Sequence, residues 1–169
     1  MPQKNEALGP WTSRTGRPIV RSRDPPGLST PMILSRESQY GLEGLIVLAR
    51  QPRGKIMLLR QIAQAGQLPA GFLGRTLQKL RRHRLVSSHR GAVRGYALAR
   101  PAQEIRLRDI FEAIEGPVVF RRCIFSPRRA DEPHPCRLHD EWARVSAALQ
   151  AVMDETTLAQ VAARGPTRG

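Results

Sequence analysis

The chain has 169 residues, enough for one domain and an extension, and its two cysteines are too few to form a disulfide scaffold. No apolar run approaches the roughly 18 residues of a membrane span, and the N-terminal stretch lacks the apolar segment of a secretory signal, so a cytoplasmic protein without membrane partners is expected. Lys and Arg number 28 against 14 Asp and Glu, a net charge of +14, and the excess is concentrated: from Glu43 to Glu104 there are 12 basic residues and no acidic residue between those two glutamates. A solvated basic face would explain the net charge but not the long interval without a carboxylate. A field of one sign confined to one stretch points to a polyanionic partner, nucleic acid first, because each neutralised phosphate releases condensed counterions.

Residues 1–31 are rich in Pro, Gly, Ser, Thr and Arg and carry no period that could bury a face. They are expected to be a disordered basic N-terminal arm, or else an upstream translation artefact, since Met32 opens the patterned region. After Ser35, a candidate N-cap, Leu42, Leu45, Ile46 and Ala49 fall at i, i+3, i+4 and i+7 and predict an amphipathic helix that Pro52 and Gly54 end. A short second helix is expected over Leu58–Gln64, burying Leu58, Leu59 and Ile62, with Gly66 closing it. The third begins near Pro69 and turns Leu73, Leu77 and Leu80 inward. Two helices a short turn apart, the second basic on its free face, form a helix-turn-helix whose second helix can enter a major groove.

LVSSH and YALAR then read as short strands joined by RGAVRG, with Gly91 and Gly95 available for positive φ and Arg90 and Arg94 at the tip. A basic hairpin directly after a recognition helix is a wing that can reach a phosphate backbone or a minor groove. Leu107, Ile110, Phe111 and Ile114 predict a fourth helix, stopped by Gly116 and Pro117. Beyond the stretch RCIFSPRRADEPHPCRLHDEW, the residues Trp142, Val145, Leu149, Val152 and Met153 line a helix from about Asp140 to Glu155. That apolar stripe is a candidate homodimer seam, because two-fold pairing presents two recognition helices to the half-sites of a palindromic operator. The expected fold is mainly α with a small β-hairpin wing, a winged helix-turn-helix DNA-binding domain plus a long C-terminal dimerisation helix. Its divisions are the arm at 1–31, the DNA-binding domain at 32–117, a cysteine loop at 118–139, and the dimerisation helix and tail at 140–163.

From Met32 to about Ala163 the chain resembles the Rrf2 family of bacterial winged-helix regulators, whose members include iron-sulfur cluster, nitric-oxide and cysteine-metabolism regulators. The resemblance lies in MILSRESQYGLEGLIVLA, in LPAGFLGRTLQKLRRHRLVSSHRGAVRGYALAR, in IRLRDIFEAIEGP and in the loop ending CRLHDEW. It implies a dimeric transcription factor, commonly a repressor, whose DNA affinity is set near the loop. One departure lies in the wing, where the family usually has adjacent glycines and this chain has Arg94 before Gly95.

For the loop, the resemblance implies an iron-sulfur cluster of the 2Fe-2S type or larger, with Cys123 at the first cysteine position, Cys136 at the last and His139 as the trailing histidine. The middle cysteine is absent, so a cluster would need a substitute ligand such as Asp131, His134 or Glu43 of the first helix. Two other readings stand beside it. Cys123 and Cys136 can form a reversible disulfide, their thiolates favoured by Arg121, Arg122 and Arg137. Alternatively the thiols are spectators, binding nothing or binding zinc adventitiously through Cys136 and His139.

The residues expected to meet DNA are Arg75, Thr76, Gln78, Lys79 and Arg82 on the exposed side of helix three, and Arg90 and Arg94 in the wing. The other function considered is an RNA-binding or ribosome-associated basic protein without a sensor. It predicts aromatic stacking surfaces, whereas aromatics are 5% of the chain and its C-terminal third is nearly neutral. Catalysis has no supporting pattern: there is no Gly-rich phosphate loop, nucleophile elbow or His-Glu-x-x-His.

Overall fold

The structure, a computed structural model, describes residues 34–91, 93–117 and 137–164. The expectations for the N-terminal arm and for most of the cysteine loop lie outside the described residues. Helix α1 (Arg36–Ala49) starts where the Ser35 side chain accepts from the Ser38 amide, satisfying one of the first-turn N–H groups that a helix leaves open. Helices α2 (Leu59–Ala65) and α3 (Ala70–Arg82) follow, then strands β1 (Val86–His89) and β2 (Gly95–Leu98) and a 3-10 turn at Ala102–Glu104. Helices α4 (Leu107–Glu115), α5 (His139–Glu155) and α6 (Leu158–Ala163) complete the order.

The strands form an antiparallel hairpin with Val86 opposite Leu98 and His89 opposite Gly95. Met57 adds a third edge by exchanging backbone hydrogen bonds with Tyr96, 2.9 and 2.8 Å long, which ties the segment before α2 to the wing. The core lies between the helices, where Leu45, Ile62, Leu73, Leu77, Leu80, Leu85, Ile105, Ile110 and Leu158 have no exposed surface. Burying one such side chain stabilises the fold by about 1.5–3 kcal/mol. In α2 the buried pair is Ile62 and Ala63; Leu58 and Leu59 are half-buried at its N-terminal edge, because a seven-residue helix has too short an inward face to cover them.

The C-terminal elements are clamped to the segment that leads into α4 and to the end of α1. Arg106 Nη1 donates to the Asp154 carbonyl at 2.7 Å, capping the end of α5 with a cation where the helix dipole is negative. The Leu107 amide donates to the Thr156 carbonyl and the Leu158 amide to the Ile105 carbonyl. Helix α6 was not anticipated as a separate element. It is held by a Thr157–Gln160 capping box and by Arg50, which donates to the carbonyls of Ala162 and Arg164 at its far end.

The stripe expected on α5 divides. Trp142 is buried, and Leu149 and Met153 pack against the core beside it, whereas Val145 and Val152 are 54% and 53% exposed. At about 100° per residue the two valines lie roughly 60–80° round the helix from the Trp142 line. One helix therefore presents one apolar edge to its own core and a second to its surroundings.

Candidate nucleic-acid interface

The turn between α2 and α3 is set by Gln67, which takes φ +52, and by the Leu68 amide, which donates back to the Ala63 carbonyl at 2.8 Å. Against this pair, α1 presents Gly41 and Gly44. A Cβ on Gly41 would fall 2.5 Å from Ile114 Cδ1, and one on Gly44 would fall 2.8 Å from Leu73 Cδ1. The glycines thus let α3 and α4 approach α1 closely, which fixes the recognition helix on the domain.

Of the residues expected on the exposed side of α3, Arg75, Gln78 and Arg82 are exposed and Lys79 is half-exposed. Thr76 corrects the expectation. Its side chain has no exposed surface, and its hydroxyl donates to the Phe72 carbonyl at 3.1 Å, with Glu37 at 3.4 Å. Leu73, Thr76, Leu77 and Leu80 are spaced i, i+3, i+4 and i+7, so the threonine methyl occupies the inward arc that its polarity seemed to forbid. Lys79 Nζ lies 2.7 Å from the Glu37 carboxylate and 3.5 Å from the Ile114 carbonyl. Gln78 Nε2 donates to the Tyr96 hydroxyl at 3.1 Å, joining recognition helix to wing, and Arg81 Nε donates to Gln78 Oε1 at 3.2 Å.

In the wing, Arg90 and Arg94 are exposed as expected. Gly91 and Gly95 take φ +114 and +146, and a Cβ on Gly95 would lie 2.3 Å from the Met57 carbonyl oxygen. The glycine that the hairpin needs is therefore Gly95. Among the described residues the non-glycines with positive φ are Gln67 and Arg84, so Arg94 occupies ordinary backbone and its side chain is accommodated without strain. Sequence reasoning missed three residues at the edge of this surface. Phe72 is 55% exposed, Tyr40 meets its ring, and Glu37 holds Lys79. Phe72 carried a readable signal, an aromatic outside the Leu73, Leu77, Leu80 stripe; Glu37 carried none, because its partner is 42 positions away.

This combination of helix, turn, helix and three-edged wing agrees with the comparisons. The family model for Rrf2, described as an iron-dependent transcriptional regulator, matches residues 34–164. The chain belongs to the Rrf2 family. A Mycobacterium tuberculosis (strain H37Rv) chain named as an HTH-type transcriptional regulator is 36% identical over 131 residues, spanning 78% of this chain and 81% of that one. The regulator CymR of Bacillus subtilis is 33% identical over 78% of this chain and 90% of its own. Its solved structure, described as that of the global cysteine regulator, superposes with a TM-score of 0.64, covering 80% of this chain and 97% of that one at 30% identity. IscR of Cereibacter sphaeroides is 35% identical over 89 residues, 52% of this chain and 57% of that one. This Rrf2 protein is accordingly a transcriptional regulator and not an enzyme, and its family implies DNA binding.

Around the root of the cysteine loop, the Rrf2 regulator carries a polar junction. Glu115, the last residue of α4, accepts hydrogen bonds from the Ser35 amide at 2.9 Å and from the hydroxyls of Ser35 and Ser38. Burial pushes its carboxyl up, but these donors, with the Lys79 charge nearby, outweigh burial and hold it below its ordinary value. The end of α4 is thereby fastened to the start of α1, and through Lys79 to the recognition helix. Of the expected loop ligands, Cys123, Asp131, His134 and Cys136 lie outside the described residues. His139 is the first residue of α5 and half-exposed, and Glu43 is exposed on α1. Among the described residues, no group of three or more His, Cys, Asp or Glu is placed to hold a metal, and no helix is long and apolar enough to cross a membrane.

Proposed function

We propose that this Rrf2 regulator is a cytoplasmic homodimer that represses transcription by binding a palindromic operator in duplex DNA, with its affinity set at the cysteine loop. The observation that carries the DNA reading is the cationic face that α3 and the wing share. Arg75, Arg82, Arg90 and Arg94 are exposed on it, and the Gln78–Tyr96 hydrogen bond links its two parts. Arg75, Gln78 and Arg82 meet base edges or nearby phosphates; Lys79 reaches a phosphate by leaving Glu37; Arg90 and Arg94 grip the backbone beyond the major groove. Pairing through α5 is supported by Val145 and Val152, exposed apolar residues seven positions apart on one edge of the helix, with exposed Leu138 at its N-cap.

The input is assigned to Cys123, Cys136 and His139. Two thiolates and an imidazole suit iron-sulfur ligation, with Glu43, Asp131 or His134 as the oxygen or nitrogen donor that completes the set, and the family's description as iron-dependent supports this reading. A bound cluster would supply a redox-sensitive crosslink. In the second reading the same two thiols respond by oxidation, and a related CymR, that of Staphylococcus aureus, has a solved structure described as its oxidized form. In either case the chain's own residues carry the signal. A shift at Gly116 moves Glu115 and Ile114, and those residues touch Ser35, Ser38 and Lys79.

Anaerobic purification with a visible absorption spectrum and iron and sulfide assays separates cluster from thiol switch. Operator affinity is then compared for the loaded, metal-free and oxidised protein at one salt concentration. A difference of about fivefold or more between two of these states is expected. Equal affinity in all three would remove the sensor and leave DNA binding standing.

A further inference from the structure

Phe72 is the third residue of α3, and more than half of its surface is exposed beside the cations Arg36, Arg75 and Lys79. Its ring centre lies 6.4 Å from that of Tyr40, tilted by 55°, and the Arg75 guanidinium carbon is 5.2 Å from the Phe72 ring centre. The ring borders an open groove of about 440 Å³ whose other walls are Arg36, Glu37, Tyr40, Arg75 and Lys79. A phenylalanine that only braced α1 against α3 would be covered by them. This one keeps 55% of its surface available in the first turn of the helix, where recognition helices contact base edges.

In a major groove, an apolar ring meets the 5-methyl group of thymine, and an arginine meets O6 and N7 of guanine. The Arg75 guanidinium lies over the Phe72 ring, which keeps the two side chains close enough to reach neighbouring base pairs. We infer that Phe72 is a specificity-determining residue that reads a thymine methyl group next to the guanine read by Arg75. The inference rests on the DNA-binding reading proposed above and adds a second recognition chemistry to it.

The test begins with the full-length protein and a duplex selected from a random-sequence library. Each thymine is then replaced in turn by deoxyuridine, which deletes the methyl group and keeps every hydrogen-bonding group. One thymine in each half-site is expected to respond with a loss of about fourfold in affinity, the effect of one buried methyl-sized group. Phe72→Ala is expected to bind the thymine and uracil duplexes equally. Because the wild-type measurement needs no variant, it decides the question even where Phe72→Ala folds poorly. The inference is overturned, with DNA recognition intact, when no thymine responds or when Phe72→Ala keeps the full thymine preference. A selection that enriches no sequence overturns both.

Discussion

Glu37→Gln is expected to tighten DNA binding, although it breaks an ion pair. In the free protein, Lys79 and Glu37 are 2.7 Å apart with 39% and 32% of their side chains exposed. Solvent screening leaves such a pair worth about 0.5 kcal/mol. Lys79 can therefore exchange Glu37 for a phosphate at a cost of about twofold in affinity. Removing the carboxylate abolishes that cost and leaves one more net positive charge facing the DNA, which steepens the slope of log affinity against log salt by about 0.9. Across a tenfold fall in salt, the advantage of the variant should grow about eightfold. Fluorescence anisotropy of a labelled duplex over a salt series measures both slopes. Parallel lines for wild type and variant would refute the reasoning, because they would show that the Glu37 charge does not oppose the phosphates.

Three further outcomes follow from the geometry. Thr76→Val keeps the volume of a fully buried side chain and removes a hydroxyl bonded to the Phe72 carbonyl, so it should cost at most about 1 kcal/mol in a denaturant melt and leave the selected operator unchanged; a changed consensus would contradict the inward placement of this residue. The lowered pKa of Glu115 makes its contribution full above about pH 4.3 and lost as pH falls through the lower folded value. Glu115→Gln should accordingly destabilise the protein at neutral pH and flatten the stability profile in acid, and an unaltered profile would show that the serine hydroxyls do not stabilise the charged form. Val145→Glu combined with Val152→Glu alters side chains that are 54% and 53% exposed, so the chain should stay folded by circular dichroism. It should sediment as a monomer and lose at least about tenfold in operator affinity, whereas an intact dimer would move the seam elsewhere.

Much of the architecture was readable because local chemistry and burial agree there. Ser35 caps α1, Pro69 precedes α3, and Leu73, Leu77 and Leu80 point inward because a helical period and a hydrophobic face coincide. The hairpin was readable from Gly91 and Gly95, although only coordinates reveal that Gly95 is needed for the Met57 backbone beside it. Thr76 was misplaced because residue polarity was given more weight than its position in the inward arc. Helix α6 left a signature, Thr157 followed three positions later by Gln160 with Leu158, Val161 and Ala162 behind them, but six residues seldom form a helix without a surface to dock on. That surface is α1, more than 100 residues earlier, so its contribution could not be read locally. At the interface, the exposed cations were legible from the charge run. The couplings of Lys79 to Glu37 and of Gln78 to Tyr96 were not, because they join distant segments.

The central claim is that α3 and the wing read sequence, beyond offering positive charge to any polyanion. Competition between a selected operator and a scrambled duplex of the same length and composition, at one salt concentration near physiological, tests it most directly. The account predicts a preference of at least about a thousandfold for the operator, with two chains bound per duplex. Equal affinity for both duplexes would contradict it.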